Sequence, residues 1–126
     1  MKALAAEAVI AIHDDVLNPG ELRGMAGDKS IHGALSRVDN RIAYGMIEDV
    51  FDLAAAYAEA VSQGHCFNDG NKRTAFYAML TVLRMNGETT PFDTKDVGDR
   101  IVLLAQRKLD AADLASWLRE RASAPA

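Results

Sequence analysis

Between Ile47 and Val61 the apolar residues Ile47, Val50, Phe51, Ala54, Tyr57, Ala58 and Val61 recur at i, i+3, i+4 and i+7. That spacing lines one face of an α-helix and fits no strand, whose period is two. The same period returns in "RTAFYAMLTVLRMNG", where Phe76, Met79, Leu80 and Leu83 share a stripe and the broad apolarity predicts a central, well-buried helix. Strand signals are scarce, with aromatics at only 6%. The chain therefore reads as all-α. The first helix is predicted over Leu4 to about Val16, stopped by Asn18-Pro19-Gly20. Ser30 is a candidate N-cap for a second, through "IHGALSRVDNRIAYG". Gly64 is a natural stop for the third and Asn86-Gly87 for the fourth. Thr94 is placed to cap a fifth helix, and Asp110 a sixth, with Asp113 at N3 and with Leu114, Trp117 and Leu118 facing the core. Residues 18–30, with three glycines and a proline, predict a mobile loop or a small hairpin. "GETTPFD" predicts a loop with a short extended piece, and the tail "ASAPA" is expected to fray.

With 126 residues and no interdomain linker, the expectation is one domain over 1–126 made of about six helices. A formal net charge of −4 gives no sign of the basic face that a nucleic-acid binder shows. One cysteine, Cys66, excludes an internal disulfide and a four-cysteine zinc site, and suits a reducing compartment. The N-terminal "MKALAAEAVIAIHDD" is broken by Glu7, is too short to span a membrane, and lacks a signal-peptide layout. A soluble, cytoplasmic protein is expected, acting on neither membrane nor nucleic acid.

Chemistry concentrates in "HCFNDGNKR", residues 65–73, between two apolar helices. The order is helix, glycine, short polar loop, helix N-terminus. A helix N-terminus offers unpaired N–H groups and a partial positive charge, which makes it an anion site. Gly70 and Asn71 tolerate unusual backbone angles, and Lys72 and Arg73 add two cations suited to phosphate. The G-x-x-x-x-G-K-[ST] pattern of a P-loop is absent. Asp69 has two roles open to it, the N-cap of the helix or an oxygen ligand for Mg²⁺, which binds through one or two carboxylates plus substrate phosphates. His65, a neutral imidazole beside a bound phosphate, is placed to act as general base. Phe67, between polar residues, anchors the loop. A base, a metal carboxylate and a phosphate cradle are the parts of phosphoryl or nucleotidyl transfer.

This segment resembles the signature of the Fic/Doc superfamily, H-x-F-x-[DE]-G-N-x-R. His65, Phe67, Asp69, Gly70, Asn71 and Arg73 match its fixed positions. "IAIHDDVL", "GELRGMAGD", the helix with Leu35, Arg37 and Val38, "FDLAAAYAEAV" and "LRMNG" are similar to the death-on-curing (Doc) branch, so the resemblance covers most of residues 8–87. Adenylylating Fic proteins usually carry glycine where Lys72 stands here, and a second arginine where Phe76 stands; Doc-type toxins carry N-K-R and lack that arginine. The resemblance implies a toxin of a toxin–antitoxin module. It would be a kinase that binds ATP in the reverse sense and transfers the γ-phosphate to a hydroxyl of a translation factor of the EF-Tu class, arresting translation. It implies His65 as base, Asp69 as Mg²⁺ ligand, Gly70 in the turn of the nucleotide-binding loop, and Asn71, Lys72 and Arg73 as triphosphate contacts. A small antitoxin, folding onto the toxin, is the implied partner. Two places depart from the branch. Gln63 stands where a basic residue is common, and Tyr77 where an amide side chain helps hold nucleotide.

The rival functions are adenylyl transfer to a protein hydroxyl and a non-catalytic binding protein on the same scaffold. His13-Asp14, with His32 and His65, raises a metal phosphohydrolase of the HD type. The three histidines lie far apart in sequence and no second carboxylate pair matches, which disfavours it. His13-Asp14 is expected to end the first helix and pack near the loop. Cys66 is expected to be a passive spacer and Trp117 a core residue.

Overall fold

The computed structural model describes residues 1–27, 29–88 and 92–123, with Ser123 described by its backbone only. Six helices follow in order: α1 (Ala6–Val16), α2 (Ile31–Ala43), α3 (Val50–Gly64), α4 (Asn71–Met85), α5 (Thr94–Ala105) and α6 (Ala111–Ser123). Among the described residues there is no strand, only one isolated antiparallel bridge between Met25 and Phe67. Ala122 and Ser123 of the expected fraying tail continue α6, while the last three residues of the tail and the centre of the loop after Gly87 lie outside the described residues.

The caps explain the boundaries. Ser30 Oγ accepts from the Gly33 N–H at 3.3 Å and starts α2. Asp49 starts α3 by accepting from the Asp52 N–H at 2.9 Å. Asp110 accepts from the Asp113 N–H at 2.8 Å and starts α6. At α5 the cap is Asp93, whose carboxylate accepts from the N–H groups of Lys95 and Asp96, and not Thr94. Two adjacent residues can cap there, and the carboxylate wins because it adds charge at the positive end of the helix. Helix α1 begins at Ala6, later than Leu4, because the buried Tyr57 hydroxyl holds both backbone groups of Leu4 at 2.9 Å.

Helix α3 is the axis of the bundle and packs against α2, α4, α5 and α6. Its buried run of Ala54, Ala55, Ala56, Ala58 and Ala60 keeps side chains short where neighbours crowd on several sides. Tyr57, Leu53 and Val61 carry the bulk and meet Ile31, Met79 and Leu114 in one contiguous core. The buried stripe of α4 is Ala75, Ala78, Met79, Val82 and Leu83, rotated from the expected one. Phe76 and Leu80 are half-buried at its margin. The rotation follows from α4 packing against α1 and α5 as well as α3. Leu114 and Leu118 are fully buried, and Trp117 packs half-buried against the core.

Residues 18–27 do not pair with themselves as a hairpin would. They lie along the signature loop: the Ala26 N–H donates to Cys66 O at 2.8 Å, and the Asn68 N–H to Gly24 O at 3.1 Å. Asn68 Nδ2 adds bonds to the carbonyls of Arg23 and Met25 at 3.1 and 3.3 Å. Two segments that are irregular alone thus satisfy each other's backbone groups.

Gly64 is the tight point where α3 meets α2. A Cβ there would lie 3.1 Å from Ala34 Cβ and 3.2 Å from Cys66 Sγ. Gly64→Ala is expected to lower the unfolding free energy by about 1–3 kcal/mol through overpacking, read as a drop in the urea midpoint. An unchanged midpoint would mean that α2 yields without cost.

Candidate active site

The turn from α3 into α4 is built without a side chain capping α4. Gly70 occupies the N-cap position with φ 80°, and it offers no side chain to the first turn. The N-terminal N–H groups of α4 therefore keep their hydrogen-bonding capacity for something outside the helix. Asp69 does not cap. Its Oδ2 accepts instead from the Leu22 N–H at 2.7 Å, which removes the N-cap role. The other end of the turn is His65, the C-cap of α3, in the left-handed region with φ 49°. Gly64, the expected stop, is still helical because His65 takes the left-handed turn, which histidine enters more readily than most residues. This conformation carries the exposed imidazole of His65 out of the bundle.

The result is a cleft of about 390 Å³, lined by Glu21, Ser62, His65, Asn68, Asp69, Gly70, Asn71, Lys72, Arg73 and Ala105. All the residues singled out for function, His65, Asp69, Gly70, Asn71, Lys72 and Arg73, meet there. Their tasks differ. The Asn71 side chain is a strut: its Oδ1 accepts from the Phe67 N–H at 3.0 Å and its Nδ2 donates to Phe67 O at 2.8 Å. Asn71 therefore has its backbone N–H, and not its side chain, left to offer the cleft. Lys72 is exposed. Arg73 is half-buried and donates to Val16 O at 2.9 Å.

Glu21 is the residue that sequence reasoning missed. Arg73 Nη1 donates to Glu21 Oε1 at 2.7 Å, and Nη2 reaches Oε2 at 3.4 Å, a forked pair on the cleft wall. The Arg73 hydrogen bond, and next the Asn18 N–H, hold the Glu21 carboxyl below the usual range. A planar, two-oxygen anion thus already sits on the cation suited to phosphate. A single glutamate in a glycine-rich loop gives no pattern to signal this.

Other expectations divide. Phe67 is buried as the anchor. His13 packs against the loop, as anticipated, with its ring on Phe67. Cys66 is buried, which pushes its thiol up and makes it a poor nucleophile. His32 is exposed beside Glu7 at 3.3 Å, and among the described residues no three His, Cys, Asp or Glu side chains gather to hold a metal. That removes the basis for the HD-type metal centre. Asp69 alone, half-buried at the cleft, fits Mg²⁺ arriving with a polyphosphate, since such ions take few protein ligands. Gln63 spans to the end of α5, donating to Leu104 O at 2.9 Å and accepting from Arg107 Nη1 at 2.9 Å. Tyr77 and Phe76, in edge contact at 5.0 Å, line a second groove that shares Lys72 and Arg73 with the cleft.

Glu21→Gln keeps the polar shape and removes the competing charge. Inorganic phosphate is expected to bind about 2–5-fold tighter to this variant, within the range for half-exposed pairs, as followed by calorimetry. Weaker binding would show that Glu21 holds Arg73 for the ligand instead of against it.

Comparison with known proteins agrees with the signature. A family model described as the Fic/DOC family matches residues 3–83. The chain is 37% identical over 120 residues to "Protein kinase doc" of Escherichia phage P1, covering 94% of each chain. It is 35% identical over 77 residues to "Toxin Doc" of Mycolicibacterium smegmatis, covering 60% of this chain and 59% of that one. The helical fold, the intact signature and these matches lead to one statement: this chain belongs to the Fic/Doc family.

Proposed function

We propose that this protein is the toxin of a toxin–antitoxin module, an ATP-dependent protein kinase that phosphorylates a hydroxyl of an EF-Tu-class translation factor in the cytoplasm and so arrests translation. The observation that carries the chemical part is the cleft itself. The exposed His65 imidazole and the uncapped N-terminus of α4, with Lys72 and Arg73, line the same 390 Å³ space. The names of the relatives, a protein kinase and a toxin, support the rest.

The residues divide the work as follows. The N–H groups at the start of α4, with Lys72 and Arg73, hold the triphosphate and neutralise charge as it shifts toward the leaving group. Asp69 holds Mg²⁺, which when bound screens the phosphate oxygens from one another. His65 accepts the proton of the attacking hydroxyl as its oxygen bonds to the γ-phosphorus; the bond from that phosphorus to the β,γ-bridging oxygen breaks, and ADP leaves. Lys72 and Phe76 favour phosphoryl over adenylyl transfer. One places a bulky cation in the cradle, and the other withholds the second arginine of adenylylating relatives. The second partner is a small antitoxin that folds onto the toxin.

A bacterial lysate incubated with the protein and γ-labelled ATP should yield a labelled band, and α-labelled ATP none. His65→Ala should cut the labelling by about 10²–10⁴-fold. Label from α-labelled ATP alone would make the enzyme an adenylyltransferase. No label from either would leave a binding protein, and full labelling by His65→Ala would remove the base from its role.

A further inference from the structure

His13 is 1% exposed, and among the described residues neither it nor any other residue of α1 lines the cleft. It nevertheless touches the signature loop at three places. Its ring lies flat on Phe67, centroids 3.8 Å apart and planes 8° from parallel. Its Nε2 lies 2.8 Å from the carbonyl oxygen of Asp69. Its Cδ2 is 3.7 Å from where a Cβ on Gly70 would stand, so the imidazole also closes over the turn. A carbonyl oxygen only accepts, so Nε2 carries the proton and donates. The other ring nitrogen lies 3.3 Å from Asp14 Oδ1.

We infer that His13 is a positioning residue for the phosphate cradle: it sets the Asp69–Gly70 peptide and touches no ligand itself. A trans peptide directs its N–H opposite to its carbonyl. With the Asp69 carbonyl pulled toward α1, the Gly70 N–H points away from α1. The same bond fixes the backbone from which the Asp69 carboxylate projects, while the stack on Phe67 fixes the depth of the loop. Asn71 and Leu22 complete the frame through Phe67 and Asp69. A leucine would fill much the same space without making that bond.

The inference rests on the cleft binding phosphate, so its test reads the clamp in two ways. His13→Leu keeps apolar bulk and loses the donor; His13→Gln keeps a donor. Among samples with cooperative melting, His13→Leu should weaken inorganic phosphate binding by about 10–100-fold, the range for lost orienting partners, and His13→Gln should recover most of that loss. In the kinase assay His13→Leu should lower kcat and raise KM for ATP together. Wild-type phosphate affinity, kcat and KM in a folded His13→Leu would overturn the inference. The second measurement needs no variant and no activity. In the wild type, NMR should show the His13 Nε2–H protected from solvent exchange and coupled across its hydrogen bond to the Asp69 carbonyl. A rapidly exchanging Nε2–H would overturn the inference. Should wild type bind no phosphate while that proton is protected, the fault would lie with the phosphate-site reading and not with the clamp.

Discussion

Between Gly64 and Asn71 the chain leaves one buried helix and enters another, and most of the turn's hydrogen bonds come from outside it. Residues 24–26 pair with its backbone at Cys66 and Asn68. His13 takes the carbonyl of Asp69, and Leu22 takes its carboxylate. Asn71 folds back on Phe67. Because neighbours satisfy the turn, the first turn of α4 is not spent on a side-chain cap. The polar groups that a helix would otherwise cover remain directed at a cleft, which is what preorganised anion binding requires.

The same economy explains how the pieces depend on one another. The small buried residues of α3 let α4 come close, and that closeness brings Arg73 within reach of α1 and of Glu21. The loop from α1 to α2 therefore does two things at once. Its glycine-rich half pairs with the signature loop, and its Glu21 loads the arginine. Under the proposed function, a ligand with phosphate oxygens would meet a guanidinium already aligned in a forked pair and exchange one anion for another.

Much of this was legible in the sequence. Helical period located the six helices, and side-chain chemistry placed the caps at Ser30 and Asp110. The signature gathered every proposed site residue into one cleft. What stayed hidden depends on three-dimensional neighbours. Asp93 against Thr94, and His65 against Gly64, are choices between adjacent residues competent for the same job, and local pattern does not separate them. The buried stripe of α4 turned because three helices press on it, which a single-helix period cannot express. The partition of roles within the signature was equally hidden. Asn71 reads as a ligand contact and acts as a strut through its side chain, and Glu21 carries no spacing signal and reaches the site only through the fold; for His13 the place beside the loop was legible but its bond to the Asp69 carbonyl was not.

The central claim is that the N-terminus of α4 is where the phosphates of a nucleotide bind. The direct measurement is an NMR titration of the ¹⁵N-labelled protein with ATP and Mg²⁺. The amides of Gly70, Asn71, Lys72 and Arg73 are expected to move most, with the His65 ring following. Shifts confined to another region, such as the turn around Met46, with those four amides unmoved at saturation, would contradict it.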